Sequence, residues 1–202
     1  MRSGWTAVAA ALALSACGAV SEYASDAEVA QARFVADAPP SITLFTVLST
    51  RNGSGAHSGL LINGSERVMF DPAGTWQHPR LPERNDLHYG MTDKMIAYYI
   101  DYHARETFNV LEQTIPVTPE QAEIAIARAR AHGAVPKAQC ARSLSSILSG
   151  VPGFASIDTT WSPKRLSADF AALGASSKLI TDDDDDNNHG VLLVQANGDP
   201  LD

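Results

Sequence analysis

Polar and apolar residues alternate along Ser41-Ile42-Thr43-Leu44-Phe45-Thr46-Val47-Leu48, with β-branched and aromatic side chains interleaved, and this predicts a half-buried strand. Thr50 to Ala56 carries two glycines and reads as a loop. From His57 to Pro72 two apolar runs flank Asn63-Gly64, which predicts a β-hairpin. A hairpin brings His57 and Asp71 near each other. A turn centred on Gly64 sets the two directly opposite on one face, whereas a two-residue turn at Asn63-Gly64 puts Phe70 opposite His57, and the sequence leaves that register open. Pro72 to Tyr89 is Pro-rich and polar and predicts a loop. Thr92 then caps a short helix reaching Ile100, whose aromatics read as core.

Phe108 to Val117 predicts another strand, and Thr118-Pro119-Glu120-Gln121 is a capping box with proline in the first helical position. That helix runs to Gly133 with Ala122, Ala125, Ile126 and Ala129 inward, and it pairs with a helix opening at Cys140. Ser162-Pro163 starts a further helix, with Leu166, Phe170 and Leu173 inward and Gly174 as the stop. Lys178 to Thr181 and Gly190 to Gln195 predict two last strands. Between them Asp182 to Asp186 repel one another and form a solvated loop, because no glycine-spaced series of alternating ligands is present to hold calcium. Mixed strands and helices in this order predict one α+β domain with an antiparallel sheet packed against helices.

The N-terminus has a different character. Arg2 is followed by an apolar run from Ala7 to Leu14 and by Ser15 and Ala16, too short a stretch to span a bilayer and suited to signal-peptidase cleavage. Leu14-Ser15-Ala16-Cys17 resembles the bacterial lipobox, which implies that residues 1–16 are removed and that Cys17 is lipidated. Several acyl chains on Cys17 would anchor the protein stably to a membrane, and Gly18 in place of Asp implies the outer membrane. Residues 17–40, rich in Ala, Ser and acids, are expected to be a flexible tether, and residues 41–198 the domain.

Charge and cysteine usage narrow the chemistry. The formal charge of −8, or −9 once Arg2 is removed, argues against nucleic acid and against anionic lipid head groups. With Cys17 lipidated, Cys140 is the single remaining thiol, so no intramolecular disulfide can form in an oxidising compartment. Pro136 bars a helix from running in from upstream, so Cys140 falls in a first turn, where unpaired N–H groups and the helix dipole favour a thiolate. Leu144, Ile147 and Leu148 continue a buried stripe from it. A structural reading, in which Cys140 packs as a small hydrophobe, stands beside this one.

A His-bearing hairpin strand followed by a Cys at a helix start resembles the circularly permuted NlpC-type branch of the papain-like superfamily, over about Ile42 to Gly150. That branch includes lecithin:retinol acyltransferase-like enzymes and bacterial lipoproteins. The resemblance implies that Cys140 is the nucleophile, His57 its general base and Asp71 the orienting residue. Members near the acyltransferases usually carry a second His at the third position, and many bacterial members have Asn before the nucleophile, whereas this chain has Asp71 and Gln139. The expectation is a thiol hydrolase or acyltransferase, without cofactor or metal, acting on an envelope peptide or lipid. Two rivals are a non-catalytic lipoprotein that binds peptide or lipid, and a metal hydrolase using His57, Asp71, His78, Asp86 and His88, which lack helical His-x-x-x-His spacing.

Overall fold

The computed structural model describes residue 19 and residues 21–181. Cys17, the acidic run from Asp182 and the strand expected from Gly190 to Gln195 lie outside the described residues. In chain order the elements are α1 (Asp26–Ala32), β1 (Ser41–Ser49), β2 (Gly55–Asn63), β3 (Arg67–Phe70), β4 (Glu83–Arg84), β5 (Leu87–Tyr89), α2 (Asp93–His103), β6 (Phe108–Pro116), α3 (Pro119–His132), α4 (Cys140–Ser149), α5 (Pro163–Ala171) and β7 (Ser176–Ile180). The strands form one antiparallel sheet in the order β4-β5-β3-β2-β1-β6-β7. The α+β class is therefore correct. Among the described residues no helix is long and apolar enough to cross a membrane.

Both faces of the sheet are covered, so β1 is buried along residues 42–47 and is not the half-buried strand its alternation suggested. Ile42, Leu44, Leu60, Ile62, Val68 and Phe70 face α3, α4 and α5; Phe45, Leu61, Met69 and Val110 face Met95 and Tyr99 of α2. Each fully buried Leu or Ile contributes about 1.5–3 kcal/mol by removal from water. Polar contacts set the helix positions. Ser167 Oγ donates to Gln113 Oε1 at 2.7 Å and pins α5 to β6. Arg128 of α3 donates to the carbonyls of Ile147 and Ser146, both at 2.8 Å, and so caps the C-terminus of α4.

Two regions depart from expectation. The stretch from Pro72 to Tyr89 is not all loop, because β4 and β5 form a small hairpin across Asn85 and Asp86, whose φ values of 51° and 67° are those of a two-residue type I′ turn. Asn and Asp tolerate this left-handed backbone, so a turn forms without glycine. Residues 22–40 do not hang free. Tyr23 bridges Arg84, the Arg84 guanidinium stacks on the Tyr23 ring at 4.7 Å, and Arg67 N–H donates to the Phe34 carbonyl at 2.9 Å.

The packing of α4 decides where Cys140 sits, and its anchor is Leu144, fully buried under β2. Leu144→Ala should cost about 2–5 kcal/mol in urea unfolding, whereas Arg165→Ala, which removes an exposed ion pair with Asp158 and a half-buried one with Asp169, should cost no more than about 1 kcal/mol.

Candidate active site

The hairpin register is neither of the two considered from sequence. Asn63 pairs with Arg67 and Leu60 with Phe70, which centres the turn on Ser65 and continues the register to bring Asp71 opposite Gly59. His57 and Asp71 therefore share a face but are offset diagonally by one pair. The missing side chain at Gly59 makes the reach possible, because a Cβ there would collide with Tyr99 Oη and stand 3.2 Å from Asp71 Oδ1. Helix α3 holds the turn in this register, with Glu123 Oε1 accepting the Ser65 N–H at 2.7 Å and Arg130 paired with Glu66.

His57 Nε2 and Asp71 Oδ1 are 2.6 Å apart, and Tyr99 Oη donates to the same Asp71 oxygen at 2.9 Å. Asp71 is 1% exposed, so its carboxyl has left water. Burial works to raise its pKa, but the His57 charge and hydrogen bond outweigh this and hold the carboxyl well below its usual range. Burial likewise works to lower the His57 pKa, and the Asp71 carboxylate followed by Cys140 reverses the sign, leaving the imidazolium favoured far above its ordinary value.

Cys140 is the first residue of α4. Pro136 accepts the Gln139 N–H at 3.3 Å, and Ala138 takes a left-handed φ of 65°, so a tight turn delivers the chain into the helix. Gln139 makes no side-chain cap bond. The sulfur instead accepts the backbone N–H groups of Ser58 and Ala141 and lies in hydrogen-bond contact with His57. With His57 Nε2 committed to Asp71, Nδ1 is the nitrogen left for the sulfur. Burial pushes the Cys140 thiol up, and His57, then the two N–H donors, bring it below its ordinary value.

Strand β3 has four residues and β2 has nine, so residues 55–59 have no β3 neighbour. The start of α4 fills that notch, which is why Ser58 N–H points at sulfur. Asp86 braces the notch from below. Its carbonyl accepts the Asp71 N–H at 2.9 Å, and its Oδ2 accepts the Val135 N–H at 2.7 Å, five residues before Cys140.

The site also contains residues that the sequence reading placed in the core or passed over. Tyr99 and His103 lie one turn apart on α2, and this i, i+4 pairing on one face was the available signal. His103 Nδ1–H donates to the Tyr99 carbonyl at 2.8 Å, and its ring stacks on His57 with centroids 5.5 Å apart and planes at 10°. Gly74 is required as well, because a Cβ there would overlap Asp71 Oδ2.

The residues of the metal alternative are not gathered into one site. Asp86 is the brace just described, His88 Nδ1 faces Glu83 Oε2 at 4.0 Å, and His78 Nδ1 accepts the Arg80 N–H at 3.2 Å. Among the described residues one trio, His57, Asp71 and His103, has ligand atoms within 4.8 Å of one another. In that trio Asp71 Oδ1 is already shared by His57 and Tyr99, whereas Asp71 Oδ2 is buried without a hydrogen-bond partner. Compared with protein-family models, curated proteins and solved structures, the chain matches none.

Two measurements check this electrostatic arrangement. His88 is buried and its pKa is lowered to about 4, chiefly by desolvation. The folded protein then binds fewer protons than the unfolded chain between that value and about 6.5, so this contribution to stability is lost as pH falls through the window. Relative to His88→Phe, the wild type should lose up to about 1.4 kcal/mol per pH unit below pH 6.5 in urea unfolding; parallel curves would show that His88 is not held neutral. Removing the Tyr99 hydroxyl leaves Asp71 one donor short. Tyr99→Phe should cost roughly 1–3 kcal/mol in the same assay.

Proposed function

We propose that the protein is a thiol enzyme that cleaves or transfers an acyl group from an amide or ester of the bacterial cell envelope. The chain of contacts Cys140–His57–Asp71 carries this reading. Cys140 thiolate attacks the substrate carbonyl, forming a C–S bond, while the Cys140 backbone N–H faces the developing oxyanion. His57 gives its Nδ1 proton to the leaving amine or alcohol, and a thioester remains. It then takes a proton from water or an acceptor, which attacks the thioester and restores the thiolate. Asp71 stays ionised, fixes the ring orientation and stabilises the imidazolium.

The order of a His hairpin before a Cys helix on an antiparallel sheet supports assignment to the permuted papain-like architecture. The lipobox-like residues around Cys17 support removal of residues 1–16 and anchoring on the periplasmic face of the outer membrane. A peptidoglycan stem peptide and a lipid are the two substrate classes compatible with that location.

Alkylation of Cys140 by iodoacetamide, read at its own peptide by mass spectrometry, tests the proposal without a substrate. A populated thiolate should react fast at mildly acidic pH, and His57→Ala should move the profile up by roughly 1–4 pH units toward the free value near 8.5. Slow labelling at every pH, indifferent to His57, would favour the non-catalytic lipoprotein. Stoichiometric zinc held through His57 would overturn the thiol mechanism in favour of a metal hydrolase.

A further inference from the structure

Residues 22–34 are fastened to the rest of the chain at both ends. Ala24 N–H donates to the Glu83 carbonyl and Asn85 N–H to the Glu22 carbonyl, each at 2.9 Å, while Arg33 Nη2 donates to the Ser65 carbonyl at 2.6 Å. Between these attachments the segment leaves an open cleft of about 1290 Å³ against residues 77–83 and His88. Phe34 and Leu81 give the cleft an apolar wall, and Glu22 and Glu83 give it acids. Neither Cys140, His57 nor Asp71 lines it, so it is separate from the thiol site.

Two acceptors face each other in the lining of this cleft with no donor between them. His88 is 2% exposed, its ring is packed edge-on against Trp76 at 5.2 Å, and its Nδ1 has no hydrogen-bond partner. Glu83 Oε2 stands 4.0 Å from that nitrogen, while Glu83 Oε1 accepts the Asp86 N–H at 3.1 Å. A gap of 4.0 Å is too long for a direct hydrogen bond, and it suits two acceptors sharing one donor atom about 2.8 Å from each. Burial, then the carboxylates of Glu22, Asp86 and Asp71, push the Glu83 carboxyl up to about 7. Burial pushes His88 down to about 4, so its imidazole is neutral and free to accept. Among the described residues no third imidazole, carboxylate or thiol lies within 4.8 Å of both groups, so the pair lacks the ligands a metal ion needs.

We propose that this cleft is a binding site for a primary ammonium group on an alkyl stem, such as a lysine-type side chain. The ammonium enters the gap, donating one N–H to Glu83 Oε2 and one to His88 Nδ1, and the stem lies along Phe34 and Leu81. A quaternary ammonium has no N–H to give, and a neutral alcohol brings no charge to the carboxylate, so the site discriminates against both.

The probe is n-butylammonium chloride, followed through the imidazole signals of His88 in the ¹⁵N-labelled full chain, which are assigned by their loss in His88→Phe. At about pH 8, with Glu83 ionised and the amine still protonated, these signals should shift saturably. Half-saturation by n-butyltrimethylammonium or by n-butanol should need about tenfold more or beyond. Glu83→Gln keeps an acceptor for the Asp86 N–H and should weaken n-butylammonium binding by about tenfold or more. As pH falls below about 7, Glu83 takes up a proton while His88 stays neutral, so the half-saturating concentration should rise about tenfold per pH unit. A shift that fails to saturate, that the three probes share equally, or that Glu83→Gln leaves unmoved would overturn the site and leave the gap to a bridging water. None of these outcomes bears on Cys140, whose labelling tests the thiol reading separately.

Discussion

The site depends on keeping one carboxylate ionised where water cannot reach it. An isolated buried carboxylate costs many kcal/mol and would protonate instead. Asp71 escapes this because the His57 imidazolium and the Tyr99 hydroxyl converge on one oxygen. That convergence needs space on the sheet face, supplied by the absent side chains of Gly59 and Gly74. The buried charge in turn holds His57 protonated, and the protonated ring favours the Cys140 thiolate. Three groups that titrate far apart in water are thereby coupled through one another.

The sheet makes this coupling possible by being incomplete. His57 and Asp71 lie on the face covered by α2, whereas α4 packs on the opposite face. A side chain on one face ordinarily has no access to a helix on the other. The early end of β3 opens a notch beside β2, and the start of α4 enters it far enough for the Ser58 N–H to reach sulfur. Asp86 spans the floor of the notch, tying Asp71 to the connection that leads into α4.

Around this interior the buried histidines divide by role. His57, against Asp71, is held charged, whereas His88 and His103 are desolvated without a comparable partner and are held neutral. A neutral His103 stacked on the imidazolium adds polarisable surface without adding repulsion, which a second charged ring would bring.

Local patterns in the chain determined most of the elements. Capping at Thr92, Thr118 and Ser162, proline at Pro119 and Pro163, and the turn before Cys140 involve residues adjacent in sequence, so their chemistry can be read without knowing the fold. The same locality placed His57 and Asp71 on one hairpin and Cys140 at a helix start. The register, a turn centred on Ser65, was settled by α3 contacts with Ser65 and Glu66. The β4–β5 hairpin went unread because its strands are two and three residues long and its turn uses Asn and Asp in place of glycine. Tyr99 and His103 carried a helix-face spacing but no sign of the carboxylate they approach, and the segment before β1 looked like a tether because its partners, Arg84 and Arg67, lie far along the chain. Sequence determines what nearest neighbours can do to one another; which distant groups meet, and whether water is present when they do, is decided only by packing.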